Sequence, residues 1–555
     1  MVAGAGGFLG RHLCGMLDAA GYEVVRFYHS DLDITDRKAV ADAVGARRPD
    51  VLVNCAAISS TGYAKEHPDE SLSVNVEAPV NLALTPLPPF PPALYHRASG
   101  HDFAGFRIVP YLCRRKNSIM KKYLKPAALA ALIAALSSVA AAAQTTSETY
   151  SCVSNRRTVT VYEIGPKGDE ICFANIYRRG RHRVTVTASE AIQSFSILPE
   201  SAGITGKAKG NKLSFKAGNG KKLHIKVNDL PCLELTTDQP EKKAEVKAAT
   251  ASYHYAPGEY TVGTLELKDG DSVRIEEGAI VHANIVGGGD NISISGRGIL
   301  HGTVRLNNCD NLRIKDITVC NDVKSWTNTL TCCTNSSYSN VKVFSCGAIY
   351  SQDGINPVAC KGFTIENCLI HSVDDCIAIK SFVADKDGDM GTRDITVKHC
   401  VMVGKRCADG VTIGFELNGG EVKDILVNDC DILKTDGGGM TGGHSAFSIV
   451  CDGAAEVHDI TYDNIRTTAD IDPKNLEIII TDGTLYDPDE PGQIHDITIR
   501  NVNWENEAKP FIIQGYEDHI VRGIRFENCT LAGKPIKSTD DADFKIDKAE
   551  DISFN

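Results

Sequence analysis

Between Asn291 and Cys529 one seven-residue pattern returns nine times: NISISGR from 291, NLRIKDI from 311, NVKVFSC from 340, GFTIENC from 362, DITVKHC from 394, DILVNDC from 424, DITYDNI from 459, DITIRNV from 496 and GIRFENC from 523. Each copy opens on Asn, Asp or Gly and then alternates apolar with polar residues. Most close on a cysteine or an aliphatic residue. Successive starts lie 20 to 37 residues apart. Period-two alternation specifies a strand, and no helical period separates the copies. A repeat of one strand plus turns cannot bury its apolar face alone, so neighbouring copies must stack as a solenoid. The fold class expected is therefore mainly β, with a right-handed parallel β-helix over 250–555 whose rungs lie about 4.8 Å apart. Variable spacing is tolerated because extra residues project outward as loops. Cys346, Cys368, Cys400 and Cys430 close four of these copies. A stacked internal ladder of thiols explains them better than disulfides, and no CxxC pairs with histidine at zinc spacing. No metal ligand is expected. Adjacent Cys332 and Cys333 have no place in the pattern.

The stretch IHSVDDCIAIKS, residues 370–381, sets two like charges in an apolar run. Unpaired charge is costly in a core, so Asp374 and Asp375 must stand at a bend or do chemistry. Counted from the start of its own repeat, Asp353 lies 13 residues on, Asp374 and Asp375 lie 12 and 13 on, and Asp409 lies 15 on. Similar offsets on successive rungs put these carboxylates on one edge of the coil. Crowded carboxylates cannot all ionise freely, which prepares a general acid beside a general base. Hydrolysis of a glycosidic bond uses such a pair. Turn capping and calcium binding are the bland readings. For DKDGDMG, with Asp385, Asp387 and Asp389, a solvated loop is preferred to a calcium loop.

Outside the repeat the chain falls into unlike pieces, as 555 residues lead one to expect. Residues 144–240 carry short alternating strands such as RVTVTAS and KLHIKVN between polar turns, the pattern of a small β-sandwich. A charged linker, TTDQPEKKAEVKAATAS, follows. Residues 120–143 have a basic start with Lys121, Lys122 and Lys125, an Ala/Leu run and small residues up to Ala143, the grammar of a cleaved signal peptide. The product is then expected to be secreted or periplasmic. Residues 85–119 show no sustained period and are expected to be linker or non-native sequence. Residues 1–84 begin MVAGAGGFLGRHL, where Gly4, Gly7 and Gly10 form a loop suited to a dinucleotide pyrophosphate. A signal peptide after such a fragment leads us to expect a gene fragment fused ahead of a protein starting at Met120. The net charge of −12 argues against a nucleic-acid partner.

Two resemblances sharpen this. SQDGINPVACKGFTIENCLIHSVDDCIAIKS resembles the polygalacturonase family, glycoside hydrolase family 28, of pectin-lyase-like fold, and its dextranase-like relatives of family 49. The family carries an N-T-D-G segment and then D-D-C-I-A-I. By this resemblance Asp353, Asp374 and Asp375 are catalytic in an inverting hydrolysis without a cofactor, with Asp374 the acid and Asp353 and Asp375 activating water. Asp409 stands where the family's G-H-G has histidine, and Ser448 and Val450 stand where its R-I-K has the cations that hold a uronate. A neutral glycan is therefore expected rather than pectate. Asp409, His371, Lys380, Glu416 and His444 are the candidate substrate contacts. The partner is a polysaccharide or oligosaccharide, with no nucleic acid and no stable membrane span, and the chain is expected to be a monomer. The alternatives are a polygalacturonase acting on pectin, a polysaccharide lyase and a non-catalytic carbohydrate-binding β-helix. The first 84 residues resemble dTDP-4-dehydrorhamnose reductases, extended short-chain dehydrogenases. This implies a truncated Rossmann-like NAD(P) fragment in which Gly4, Gly7 and Gly10, with Asp33 and Asn75, are vestigial cofactor contacts. The family's Tyr-x-x-x-Lys is missing, since HRAS follows Tyr95. A sugar-nucleotide reductase is the remaining alternative for that fragment.

Overall fold

The computed structural model describes residues 145–241, 251–348, 350–437, 444–482 and 490–555, and short pieces of the first hundred residues, chiefly 24–28 and 31–47. The chain forms two units, Met1–Ala140 and Ala141–Asn555. In the first, short parallel strands Arg26–Phe27, Val2–Ala3, Leu52–Asn54 and Tyr95–Arg97 lie side by side in that order. Asp36 starts the helix Arg37–Arg47 by accepting from the backbone N–H groups of Lys38 and Ala39, which satisfies donors that have no partner inside a helix. This parallel α/β arrangement fits the Rossmann-like expectation. Gly4, Gly7, Gly10 and Asn75 lie outside the described residues, as do the segment 98–119 and the signal-peptide stretch 120–143.

The second unit joins a sandwich to a solenoid. One sandwich sheet runs Gly206–Lys209, Lys212–Ala217, His182–Ala188, Tyr150–Ser154, Arg157–Val159. The other runs Phe195–Leu198, Lys221–Val227, Leu233–Asp238, Ile171–Tyr177, Tyr162–Ile164, Thr145–Thr146. In His182–Ala188 the alternate residues His182, Val184, Val186 and Ala188 are buried, as the period-two text requires. Leu233–Asp238 is buried at every residue, because this sheet packs on the solenoid with its other face. Ile164, Ile171 and Phe173 meet Cys320, Phe344, Leu369 and Val401 there. Within the same junction the Lys342 ammonium, fully buried, lies 2.6 Å from Asp238.

The solenoid is the right-handed parallel β-helix expected from the repeat. Its strands pair in parallel with strands one coil away, apart from the antiparallel pair Thr530–Leu531 with Lys534–Pro535. One face comprises Asn328–Thr331, Ile355–Val358, Ile377–Ile379, Val411–Ile413, Ser445–Cys451 and Lys474–Ile480. A second, with Thr318–Asn321, Lys342–Ser345, Leu369–Ser372 and Val401–Gly404, meets the sandwich. The third includes Thr334–Ser339, Lys361–Glu366 and Thr392–Lys398. Between third and second faces eight successive coils turn on one residue in the left-handed region: Asp316, Asn340, Asn367, His399, Asp429, Asn464, Asn501 and Asn528. Asn and Asp tolerate that conformation best after glycine. Their amides also bridge coils, as from Asn340 to Asp316 at 2.8 Å and from Asn528 to Asn501 at 2.8 Å.

The residue after each such turn points inward. These are Ile317, Val341, Cys368, Cys400, Cys430, Ile465, Val502 and Cys529, all buried. Cys368, Cys400 and Cys430 stack as expected and are thiols. Cys346 does not join them. Tyr338 pairs with Ile365, so the partner of GFTIENC on the preceding coil is the strand Thr334–Ser339, and NVKVFSC at 340 belongs to the next face. The serine-rich strand lacks the apolar beat, and the apolar run after it took its place in the count. Cys346 packs against the sandwich instead. The adjacent pair is explained by the same turn chemistry at another corner. Cys332 takes φ 52° at the turn, and Cys333 points inward between Cys309 and Cys360.

Candidate active site

The site lies where the first face begins. Ile355 pairs with Ile377, Ile377 with Val411 and Val411 with Phe447. Two residues before each stand Asp353, Asp375, Asp409 and Ser445, so the three aspartates occupy one position on three successive coils. Asn328 pairs with Ile355, which puts Trp326 at the same position one coil earlier. Backbone bonds fix this stack: Gly354 N–H donates to the Asp375 carbonyl at 2.8 Å, and Cys376 N–H to that of Asp409 at 2.9 Å. The close approach explains why glycine follows Asp353, since a Cβ on Gly354 would run into the carbonyl of Cys376.

Asp353, Asp375 and Asp409 are buried, and Asp374 is half-buried. Asp353 accepts from the Asn356 amide at 2.8 Å. Asp374 accepts from the backbone N–H groups of Ser351 and Asp375. Asp375 accepts from Asp409 N–H at 2.8 Å, and Asp409 accepts from Ser445 N–H and the Ser448 hydroxyl. Burial pushes the Asp353 carboxyl well above the ordinary range, and the Asp374 charge adds to it. Burial does the same to Asp375, with Asp409 and Asp374 adding repulsion. Asp409 is raised by burial despite its two donors. Asp374 is raised by burial to about 6, against the opposing pull of its backbone donors. The crowded, buried set thus shares protons among its carboxyls, which suits acid–base work.

A buried ammonium faces this cluster. Lys380, pointing out from the next row of the face, lies 2.5 Å from Glu416 and 4.0 Å from Asp353. Its ammonium sits 4.8 Å from the centre of the Trp326 ring, which meets Phe382 edge-on at 6.1 Å. Burial opposes its charge, but Glu416, Asp353 and Asp375 hold it protonated above the usual lysine range. Glu416 takes φ 57°. Asp452 holds that turn by accepting from the backbone N–H groups of Glu416 and Leu417 at 3.1 and 3.0 Å.

Of the candidate contacts, Asp409, Lys380, Glu416 and His444 come together with Asp353, Asp374 and Asp375. His444 is neutral, pushed down to about 4 by burial, and its Nε2 lies 3.2 Å from Cys407 Sγ. Asp375, Asp409 and His444 place one ligand atom each within 4.8 Å of one another. His371 is a correction. It lies on the second face, where its Nδ1 is 2.8 Å from Glu234 of the sandwich, so it touches no sugar. Its strand turns it away because the first face starts only after the bend at Asp374. Trp326 and Asn356 were missed by sequence reasoning, although the strand register places both once the coils are aligned. Asp385 and Asp389 hold Lys361 at 2.5 and 2.8 Å, so the DKDGDMG loop is an ion-paired turn.

Residues 295–545 match the family model described as Glycosyl hydrolases family 28. All the catalytic candidates lie within this family 28 region. Residues 1–86 match the RmlD substrate binding domain. Over 83 residues the chain is 45% identical to a dTDP-4-dehydrorhamnose reductase of Streptomyces griseus, covering 15% of this chain and 27% of that protein. Over 91 residues it is 32% identical to a probable polygalacturonase of Vitis vinifera, covering 16% of this chain and 18% of that one. The chain therefore spans about a quarter or less of the length of these curated relatives. Among solved structures, the exopolygalacturonase of Thermotoga maritima aligns with 14% identity and a TM-score of 0.45, over 56% of this chain and 86% of its own.

Proposed function

We propose that the β-helix is a glycosidase that cleaves a neutral polysaccharide with inversion, and that the segment from Met120 exports it. The observation that carries this is the stack of Asp353, Asp375 and Asp409 beside Asp374, with the Lys380 ammonium against Asp353 and Glu416. Asp374, the most accessible of the four, donates its proton to the leaving glycosidic oxygen as that bond to the anomeric carbon breaks. Asp353 and Asp375 take a proton from water, whose oxygen attacks the anomeric carbon from the opposite side. Lys380 favours the ionised form of Asp353 that this requires. Acid and base separated by room for one water give inversion, and the chemistry needs no cofactor. Trp326 offers an apolar face against which a sugar ring can rest.

The substrate's charge is argued from what surrounds the acids. The outward positions opposite Thr412 and Gly414 are Ser448 and Val450, and Ser448 is already spent on Asp409. A uronate here would face buried aspartates while Lys380 is already paired with Glu416 and Lys474 with Glu477, a costly arrangement. Cleavage of pectate is the second reading, favoured by the name of the Vitis vinifera relative.

One experiment separates them. The full chain is incubated with neutral glucans, galactans and arabinans and with polygalacturonate, and reducing ends are measured. Release from a neutral glycan, with the inverted anomer seen first by proton NMR, is expected. Release from polygalacturonate alone would overturn the substrate assignment, and an unsaturated product would replace hydrolysis by elimination.

A further inference from the structure

At the junction of sandwich and solenoid four side chains of metal-binding type converge: His224, Cys232, Glu234 and His371. His224 and Glu234 are directly opposed across strands Lys221–Val227 and Leu233–Asp238. Cys232 immediately precedes the second strand, and His371 comes from Leu369–Ser372 of the solenoid. One ligand atom from each lies within 4.8 Å of every other. The Nδ1 atoms of His224 and His371 are 2.7 and 2.8 Å from Glu234 Oε1, and Cys232 Sγ is 3.8 Å from His371 Nδ1. We infer that His224, Cys232, Glu234 and His371 form a tetrahedral zinc site that ties the sandwich to the β-helix.

Three observations carry this beyond a hydrogen-bonded cluster. First, the separations suit a metal. Bonds of about 2.0–2.1 Å to nitrogen or oxygen and about 2.3 Å to sulfur put tetrahedral ligands roughly 3.3–3.7 Å apart. The histidine–glutamate distances need to open slightly, and the widest pairs need to close by about 1 Å. Second, the cluster is incomplete as hydrogen bonding. Glu234 Oε2 is buried with no partner, and Glu234 is 0% exposed. A carboxylate shared by two rings through one oxygen leaves its other oxygen to a cation. Third, the charges balance. One thiolate, one carboxylate and two neutral imidazoles offset a divalent ion, so the buried unit is neutral overall.

On binding, the Cys232 thiol loses its proton to solvent and its sulfur bonds the metal. Each ring gives up its Nδ1–H and carries its proton on Nε2. Nitrogen, thiolate and carboxylate donors together favour zinc over calcium or magnesium. The site lies on the second face and is separate from the group of Asp375, Asp409 and His444.

The test uses the full chain. After dialysis against Zn2+ and gel filtration, metal analysis is expected to give one zinc per chain, falling at least tenfold in Cys232→Ser and in His371→Ala, and unchanged in His444→Ala. Replacement by Co2+ is expected to give a thiolate-to-cobalt charge-transfer band and the visible spectrum of a tetrahedral ion. The band should vanish in Cys232→Ser while circular dichroism stays native. No zinc uptake by the wild-type chain, a cobalt spectrum without thiolate, or metal lost only in His444→Ala would each overturn the assignment. The wild-type cobalt spectrum decides the matter even if a variant fails to fold.

Discussion

Replacing Lys380 by methionine keeps the volume of the stem and removes the ammonium that faces Asp353. In a protein of effective dielectric about 20, unit charges 4 Å apart interact by about 4 kcal/mol, equivalent to about three pH units. Asp353 lies at that distance from Lys380. Glu416, at 2.5 Å, shares the ammonium and reduces its hold on Asp353. Yet in the variant Glu416 remains and repels Asp353 directly, which acts in the same direction. Asp353 serves as a base and must be ionised. Raising its proton affinity moves the acidic limb of kcat/KM towards higher pH, by about one to three units. Below the wild-type limb the loss should be about 10- to 1,000-fold, shrinking as pH rises. Lys380→Arg should restore the limb. Lys380→Met combined with Glu416→Gln should bring it part of the way back, since that removes the leftover repulsion. The assay is initial-rate hydrolysis from pH 3 to 9 on the best substrate. A uniform fall at all pH values with the limb unmoved would refute this reasoning and leave Lys380 as a mere support for Glu416.

Further outcomes follow from the same geometry. Asp374→Asn, Asp353→Asn and Asp375→Asn should each cut kcat by at least about 100-fold, the usual scale of lost acid–base catalysis, with folding unchanged by circular dichroism. Because burial raises Asp374 to about 6, activity should fall above about that pH as the acid loses its proton, which a kcat/KM profile reads directly. Asp375 has a folded pKa raised above its unfolded one, so its contribution favours folding at low pH and is lost as pH rises through the folded value. Asp375→Asn should therefore unfold at a higher temperature than wild type at pH 8, with the gap closing towards pH 4. Trp504 is fully buried between Phe447 and Phe511, and Trp504→Ala should cost about 3–5 kcal/mol by denaturant titration.

The solenoid was legible because its constraint is local and repeated: a strand of period two, then a turn residue that accepts the left-handed region. Eight of the nine copies take equivalent positions, as the pairs from Ile294 with Ile314 to Ile497 with Ile524 attest. The ninth failed where serines replaced the apolar beat. The error displaced Cys346 but spared Asp353, because the catalytic position is set by pairing on a different face. Counting from the strand nearest the acids is thus safer than counting from the repeat start, since loop insertions accumulate in between. His371 shows the other limit. Its strand is buried at all four residues, so alternation cannot say which face looks out, and only the sandwich strand bearing Glu234 decides it. The four ligands at that junction come from two strands, a loop and a distant coil, with no spacing a linear motif could capture. Sequence places what one coil repeats, whereas contacts between the sandwich and the helix depend on a docking that neither pattern encodes. The inferred zinc site is the link that makes that docking unique: the buried Lys342–Asp238 pair and the apolar seam around Phe344 supply affinity, and four directed bonds supply geometry.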